Sequence, residues 1–189
     1  MLTRLPIFPT LIVIAAAATM VALGIWQIGR SEEKALLIER YAMATASTQT
    51  VPFPRAGDGE EVWFRRSATN CETVMAIQPV AGTAASGAKG WAMRAQCARG
   101  DGTQALIDLG FSRGLALPEW EGGAITGVIA PGPRLIADPA LEGLEPLAKP
   151  DPKDLPNNHI AYAGQWFFFA ITALVIYGFA VRSRVSKET

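Results

Sequence analysis

The chain has 189 residues, half of them hydrophobic and only 18% charged, with 17 basic and 17 acidic side chains. That length holds one ordinary domain plus accessory segments. The even charge balance, with no basic patch, excludes a nucleic-acid-binding protein and leaves the excess of apolar residues to be explained.

After a short tail over residues 1–6 carrying Arg4, the stretch from Ile7 to Ile28 has no charged residue. At about 1.5 Å per residue it reaches roughly 33 Å, the thickness of a bilayer's hydrocarbon core. A cleaved signal peptide is the competing reading, but its apolar region is usually about 7–15 residues long, so a retained transmembrane helix is expected over 7–28. The run closes in "LGIWQIGRSEEK", Leu23 to Lys34. Trp26 is an interface anchor by type. Gln27, Arg30 and Lys34 recur at i, i+3 and i+7 and so share a different helical face. Arg30 has two readings: a snorkelling anchor neutralised by Glu32 or Glu33, or a cation that pairs with a carboxylate ligand. "SEEKALLIERYAMATA" is rich in Ala, Leu and Glu and predicts that the helix continues to about residue 44. Two prolines and two glycines in "TQTVPFPRAGDGE" then stop it.

From residue 61 the period changes. "EVWFRRSAT", "ETVMAIQPV", "GWAMRAQCA", "TQALIDLGF" and "GAITGVIA" are short, mostly apolar or alternating runs separated by turn-rich pieces. They predict five strands in an antiparallel meander curling toward a sandwich or barrel, with "RGDGT" as a hairpin turn. Cys71 and Cys97 lie on strands flanking one loop. A disulfide, two free thiols and a metal-binding pair all remain open; no CxxC or HExxH spacing is present. Residues 131–156 are proline-rich and predict an extended return strap without a regular element. Asn157 or Asn158 can cap a second helix.

That helix is the second uncharged run, Ile160 to Val181, expected to span the membrane over 159–181. A basic tail with Arg182, Arg184 and Lys187 follows at 182–189. Short basic tails stay in the cytoplasm, so residues 45–158 form the exported domain, in the periplasm of a bacterial cell, with both termini cytoplasmic. The single histidine, His159, opens the second span, and His159, Tyr162, Trp166 and Phe169 fall on one helical face. Such a face suits an axial ligand over a flat apolar macrocycle. The plainer reading of the same face is an interfacial aromatic belt. His159 and the Gln27 face end their spans at the same membrane depth. No Ser/His/Asp arrangement or carboxylate pair exists, since Glu72, Asp101 and Asp108 are scattered and Arg65 and Arg66 would face opposite sides of a strand. The fold class is therefore membrane α+β: two transmembrane helices flanking an antiparallel, barrel-like sheet.

Two motifs carry a resemblance. "LGIWQIGRSEEKALLI" and "NNHIAYAGQWFFFA", with "FRRSAT" between them, make the chain similar to the surfeit-locus (Surf/Shy) family of cytochrome c oxidase assembly factors. The segment "LGFSRG" keeps Gly110 and Phe111 of a family element but departs at Ser112 and Arg113, and "GWAMRAQCA" lacks the usual Thr-Pro. The resemblance implies a non-enzymatic assembly factor that binds haem a transiently and helps deliver it. It implies His159 as the axial ligand, an apolar face of Tyr162, Trp166 and Phe169 for the macrocycle, and Arg30 toward a propionate, with Gln27 beside them among the cofactor-binding residues. The implied partners are the oxidase catalytic subunit, haem a synthase and the inner membrane. Two rivals stand beside it: a haem-free scaffold or accessory subunit, and a redox or copper enzyme using Cys71 and Cys97.

Overall fold

A computed structural model describes residues 6–55 and 59–187. Arg4, the 56–58 part of the loop after the first helix, and Glu188 lie outside the described residues. Contacts divide the chain into two compact units, Met1–Leu37 with Pro156–Thr189, and Ile38–Leu155.

The first unit is an antiparallel helix pair. Helix α1 spans Ile7–Ala46 and its last turns belong to the second unit; α2 spans His159–Lys187. The basic residues of the C-terminal tail therefore continue α2 as helix. Both helices are long and apolar enough to cross a membrane. They leave large apolar side chains such as Ile12, Ile25, Phe168 and Ile176 exposed, which water would penalise and lipid would not. What the pair buries is small. Ala17 and Ser31 on α1 and Ala163 and Ala170 on α2 are buried, and Gly24 is buried with them. Thr10, Ala17, Gly24 and Ser31 are seven apart, as are Ala163, Ala170 and Tyr177. Small residues at a heptad period let two helix backbones approach closely in the left-handed sense. Gly24 marks the tightest point, since a Cβ there would lie 2.5 Å from the Phe167 ring. Near the other end of the seam, the Thr10 and Tyr177 hydroxyls hydrogen-bond.

The second unit is a curled, seven-stranded mixed sheet. Its strands are β1 (Thr50–Pro52), β2 (Arg66–Cys71), β3 (Thr73–Thr83), β4 (Lys89–Ala98), β5 (Gln104–Ser112), β6 (Gly123–Ala130) and β7 (Arg134–Ala137). They lie in the order β1-β2-β6-β7-β5-β4-β3. Only β3-β4-β5 form the expected meander. Its β4–β5 turn closes through Arg99 and Thr103, with Gly102 at φ 79°. The Thr103 hydroxyl and N–H both donate to Asp101 in this turn and hold its carboxyl below the usual range.

The purely antiparallel, barrel-like sheet is corrected on two counts. First, β1–β2 and β5–β7 pair in parallel, and the edge strands β1 and β3 do not pair with each other, so the barrel stays open. Second, the strap is not featureless. Its segment "RLIA" is β7, inserted between β5 and β6, with Leu135 fully buried. Pro131 and Pro133 sit in the turn before it, where they cost no ladder hydrogen bond, so proline content does not bar a four-residue central strand. The strap's later part is bridged to the sheet as well, at Ala84–Leu147 and Phe111–Glu145.

The start of the expected first strand is also corrected. Glu60–Val62 form a 3-10 turn and Phe64 takes a left-handed φ of 65°, so β2 begins only at Arg66. Phe64 is buried, and Tyr41 from α1 packs on it with ring centroids 5.0 Å apart. The Tyr41 hydroxyl is buried without a hydrogen-bond partner among the described residues. Burial and then the nearby Glu60 carboxylate raise its pKa.

The main core gathers Met93, Ile107, Leu109, Ile129 and Leu135 with both cysteines. Cys71 and Cys97 are disulfide-bonded, with Cα atoms 5.3 Å apart. Their strands, β2 and β4, are not neighbours in the sheet. The bond joins two arms of the curl just where β2 runs through Glu72 into β3.

Candidate functional site

The site begins where α2 begins. Pro156 prevents the helix from starting earlier, and the next residues fix α2 against α1. Asn157 Nδ2 donates to the Ser31 carbonyl at 3.2 Å, so one of the two asparagines offered as caps ties the two helices together. One turn further along the seam, His159 Nδ1 lies 2.7 Å from Gln27 Oε1. The residues singled out at the ends of the two apolar runs thus meet.

The chemistry of that contact follows from the partners. An amide oxygen only accepts, so with Gln27 Oε1 facing it Nδ1 is the donating nitrogen, and the neutral imidazole in this arrangement has its lone pair on Nε2. Nε2 makes no hydrogen bond among the described residues. Histidines that bind metal through Nε2 are commonly held this way, with Nδ1–H given to an oxygen that sets the ring's tautomer and orientation. His159 is partly buried, so the ring is held yet accessible.

The aromatic residues continue from it along α2. Trp166 is partly buried and meets Phe169 edge to face, ring centroids 6.3 Å apart. Tyr162 and Phe169 are about half exposed. Together they offer a rim of aromatic surface one to three turns from His159. Arg30 points elsewhere: it is exposed and pairs with Glu33 on its own helix. An exposed i,i+3 pair contributes little stability and exchanges readily, so the guanidinium is within reach of a stronger anion but is not placed on His159. Lys34 is partly buried one turn beyond.

Among the described residues, no three His, Cys, Asp or Glu side chains cluster to hold a bare metal ion. A lone imidazole with a directed Nε2 suits a metal that brings its other ligands with it, as a macrocycle does.

The sheet unit holds a second polar constellation that the sequence reading missed. Asp108 on β5 is buried and takes Arg94 Nε at 2.6 Å and Nη2 at 3.1 Å from β4, and Arg134 Nε at 3.0 Å from β7. The Arg94–Asp108 pairing is implicit in the "RGDGT" turn, because pairing Ala98 with Gln104 brings Arg94 opposite Asp108. Arg134 carries no such signal, since β7 was not expected. Of the arginines noticed earlier, Arg66 lies 3.8 Å from Asp138 at the surface.

A family profile described as the SURF1 family matches residues 14–171, most of the chain. No curated protein matches the sequence closely enough to serve as a relative.

Proposed function

The chain belongs to the SURF1 family, which is associated with cytochrome oxidase assembly, and on that premise we propose that it carries haem a to the oxidase. The observation that carries this reading is the 2.7 Å contact between His159 Nδ1 and Gln27 Oε1, which leaves Nε2 directed and unpartnered among the described residues. His159 is the axial ligand through that nitrogen. Tyr162, Trp166 and Phe169 supply an apolar rim for the macrocycle and its hydrophobic tail. Gln27 holds the imidazole in the ligating tautomer. Arg30 turns from Glu33 toward a propionate when one arrives. Haem a, when bound, supplies the iron and macrocycle that the oxidase needs. One protein ligand suits a carrier, because a cargo held by two would leave more slowly.

The same reading places the two helices in the bacterial inner membrane, with both termini in the cytoplasm and the sheet unit in the periplasm. The basic residues after the second span support that orientation, and a buried disulfide suits the oxidising side. The oxidase catalytic subunit receives the haem and haem a synthase supplies it. Nothing in this role requires the protein to catalyse a reaction.

Haem a titration of the purified protein tests the reading directly. Wild type should give a saturable Soret change that His159→Ala abolishes or weakens more than tenfold. Equal affinity and an unchanged Soret band in the variant would refute ligation by His159. Capture of the catalytic subunit at full strength from cells unable to make haem a would instead favour a haem-free scaffold.

A further inference from the structure

We propose that the sheet unit holds a binding site for an oxyanion, a carboxylate or phosphate group, in the cleft between β4, β5, β7 and the returning strap. The cleft has a volume of about 230 Å³ and is lined by Arg94, Asp108, Arg134, Thr83 and Ala148 among others. That is smaller than the roughly 300–1,000 Å³ of pockets for drug-sized molecules and suits a small polar group.

The charge count is the first argument. Both oxygens of Asp108 are already engaged: Oδ1 by Arg94 Nε, and Oδ2 by Arg94 Nη2 and Arg134 Nε. One carboxylate is thus shared by two guanidinium groups, and the cleft keeps a surplus positive charge. The rim adds to it, because Lys89 Nζ donates to the Thr83 hydroxyl at 2.9 Å. Among the described residues Asp108 is the sole acidic one lining the cleft. The nearby acids Asp138 and Glu145 face other cations, Lys149 with Arg66 and Arg113 respectively.

The donor count is the second. A guanidinium has five N–H groups in a rigid fork. Arg134 spends Nε on Asp108 and Nη1 on the Pro131 carbonyl, and its Nη2 has no partner among the described residues. Arg94 likewise keeps Nη1 unused among them. These donors belong to side chains only about a quarter to a third exposed, 24% for Arg94 and 32% for Arg134. Charge-assisted hydrogen bonds in such a partly dry setting are stronger than at an open surface.

The strap is the third. Its residues Leu147 and Ala148 line the same cleft as the ion pairs. Ala148 N–H donates to the Thr83 carbonyl and Leu147 bridges Ala84, so this segment is pinned to the end of β3 and walls the cleft without filling it. Here the salt bridge floors an accessible cleft, pre-oriented by Asp108.

The test is a titration of the full-length protein in detergent micelles, following the side-chain Nε–H NMR signals of Arg94 and Arg134. Inorganic phosphate and acetate are added separately, each against sodium chloride at equal ionic strength. Saturable movement of both signals with either anion and not with chloride is expected, and the anion saturating at lower concentration identifies phosphate or carboxylate as the better ligand. Arg134→Gln should weaken that binding by about tenfold or more, the loss of one charge-assisted pair, with the disulfide and circular dichroism unchanged. Should that variant fail to fold, the wild-type titration decides alone. The absence of saturable movement in wild type, or equal binding by a folded Arg134→Gln, overturns the site. Either result leaves the haem reading untouched, since the two sites share no residue.

Discussion

Replacing Cys71 and Cys97 together by alanine isolates what the disulfide does. Alanine is the right replacement because both positions are buried, and serine would add unpaired hydroxyls to the core. The bond closes a loop with a sequence separation of 26. In the chain-entropy treatment that constraint lowers the unfolded state's entropy enough to stabilise the fold by about 3.5 kcal/mol at 25 °C. The loss of two buried sulfurs adds a smaller packing cost of the same sign. Trp63, Trp91 and Trp120 all lie in the sheet unit, so near-ultraviolet circular dichroism in guanidinium reports on it. The double variant should unfold at a lower denaturant midpoint with a steeper slope, because its unfolded chain is more expanded. Dithiothreitol should move wild type to the variant's curve and leave the variant where it is. A double variant within about 0.5 kcal/mol of wild type would refute the cross-link reasoning, being far below the loop-closure value. So would two titratable thiols in the folded wild-type protein.

Four further outcomes follow from the same geometry. Gln27→Leu should weaken haem a binding by about 10- to 100-fold while His159 still ligates, as loss of an orienting partner usually does; a titration and the Soret position check both halves. Gly24→Val should drive the Phe167 ring from the seam and cost about 1–3 kcal/mol, visible as loss of the hydrogen-bonded His159 Nδ1–H signal by NMR. Gly127→Ala would set a Cβ 2.0 Å from the Ile136 carbonyl oxygen, and backbone cannot yield as a side chain does, so a loss of at least about 2 kcal/mol in denaturation is expected. Tyr41→Phe removes a buried hydroxyl that has no partner among the described residues, and should be neutral or stabilising below pH 10. Because the folded state raises this tyrosine's pKa above 10.0, its contribution is intact below that pH and is lost as pH rises through the folded value; the phenylalanine variant should lack that alkaline loss in a stability-against-pH series.

What could be read from the sequence tracks how local the determining forces are. The helices announced themselves because crossing a bilayer demands a long uncharged run. Strands β3, β4 and β5 were legible because each hairpin partner is the next strand along and the turn chemistry fixes register. Strand β7 was not, because its partners β5 and β6 are chosen by the space left between them, and "RLIA" alone is too short to show a period. The departure at Phe64 has a similar origin. Nothing local forbids "FRR" from being extended, and the left-handed turn coincides with the packing of Tyr41. In the site, the common depth of Gln27 and His159 followed from counting residues. Their contact depends on the rotation of each helix about its axis, which the seam of Ala17, Gly24 and Ala163 sets. Arg30 shows the opposite case, since the local Glu33 holds it in this structure.

Beside the Asn157–Ser31 tie, the helix seam carries two side-chain-to-side-chain fastenings among the described residues, Thr10 with Tyr177 and Gln27 with His159. They stand seventeen residues apart on α1 and eighteen on α2, rises of about 25 and 27 Å. Two rods pinned at matched intervals behave like a vernier: a slide of even one turn, about 5.4 Å, breaks both pins at once. An apolar seam of small residues would tolerate such slippage. The height of the imidazole along the helix pair is therefore set partly by a tyrosine at the far end of that pair. Changing Tyr177 to phenylalanine would loosen the position of a histidine it never touches.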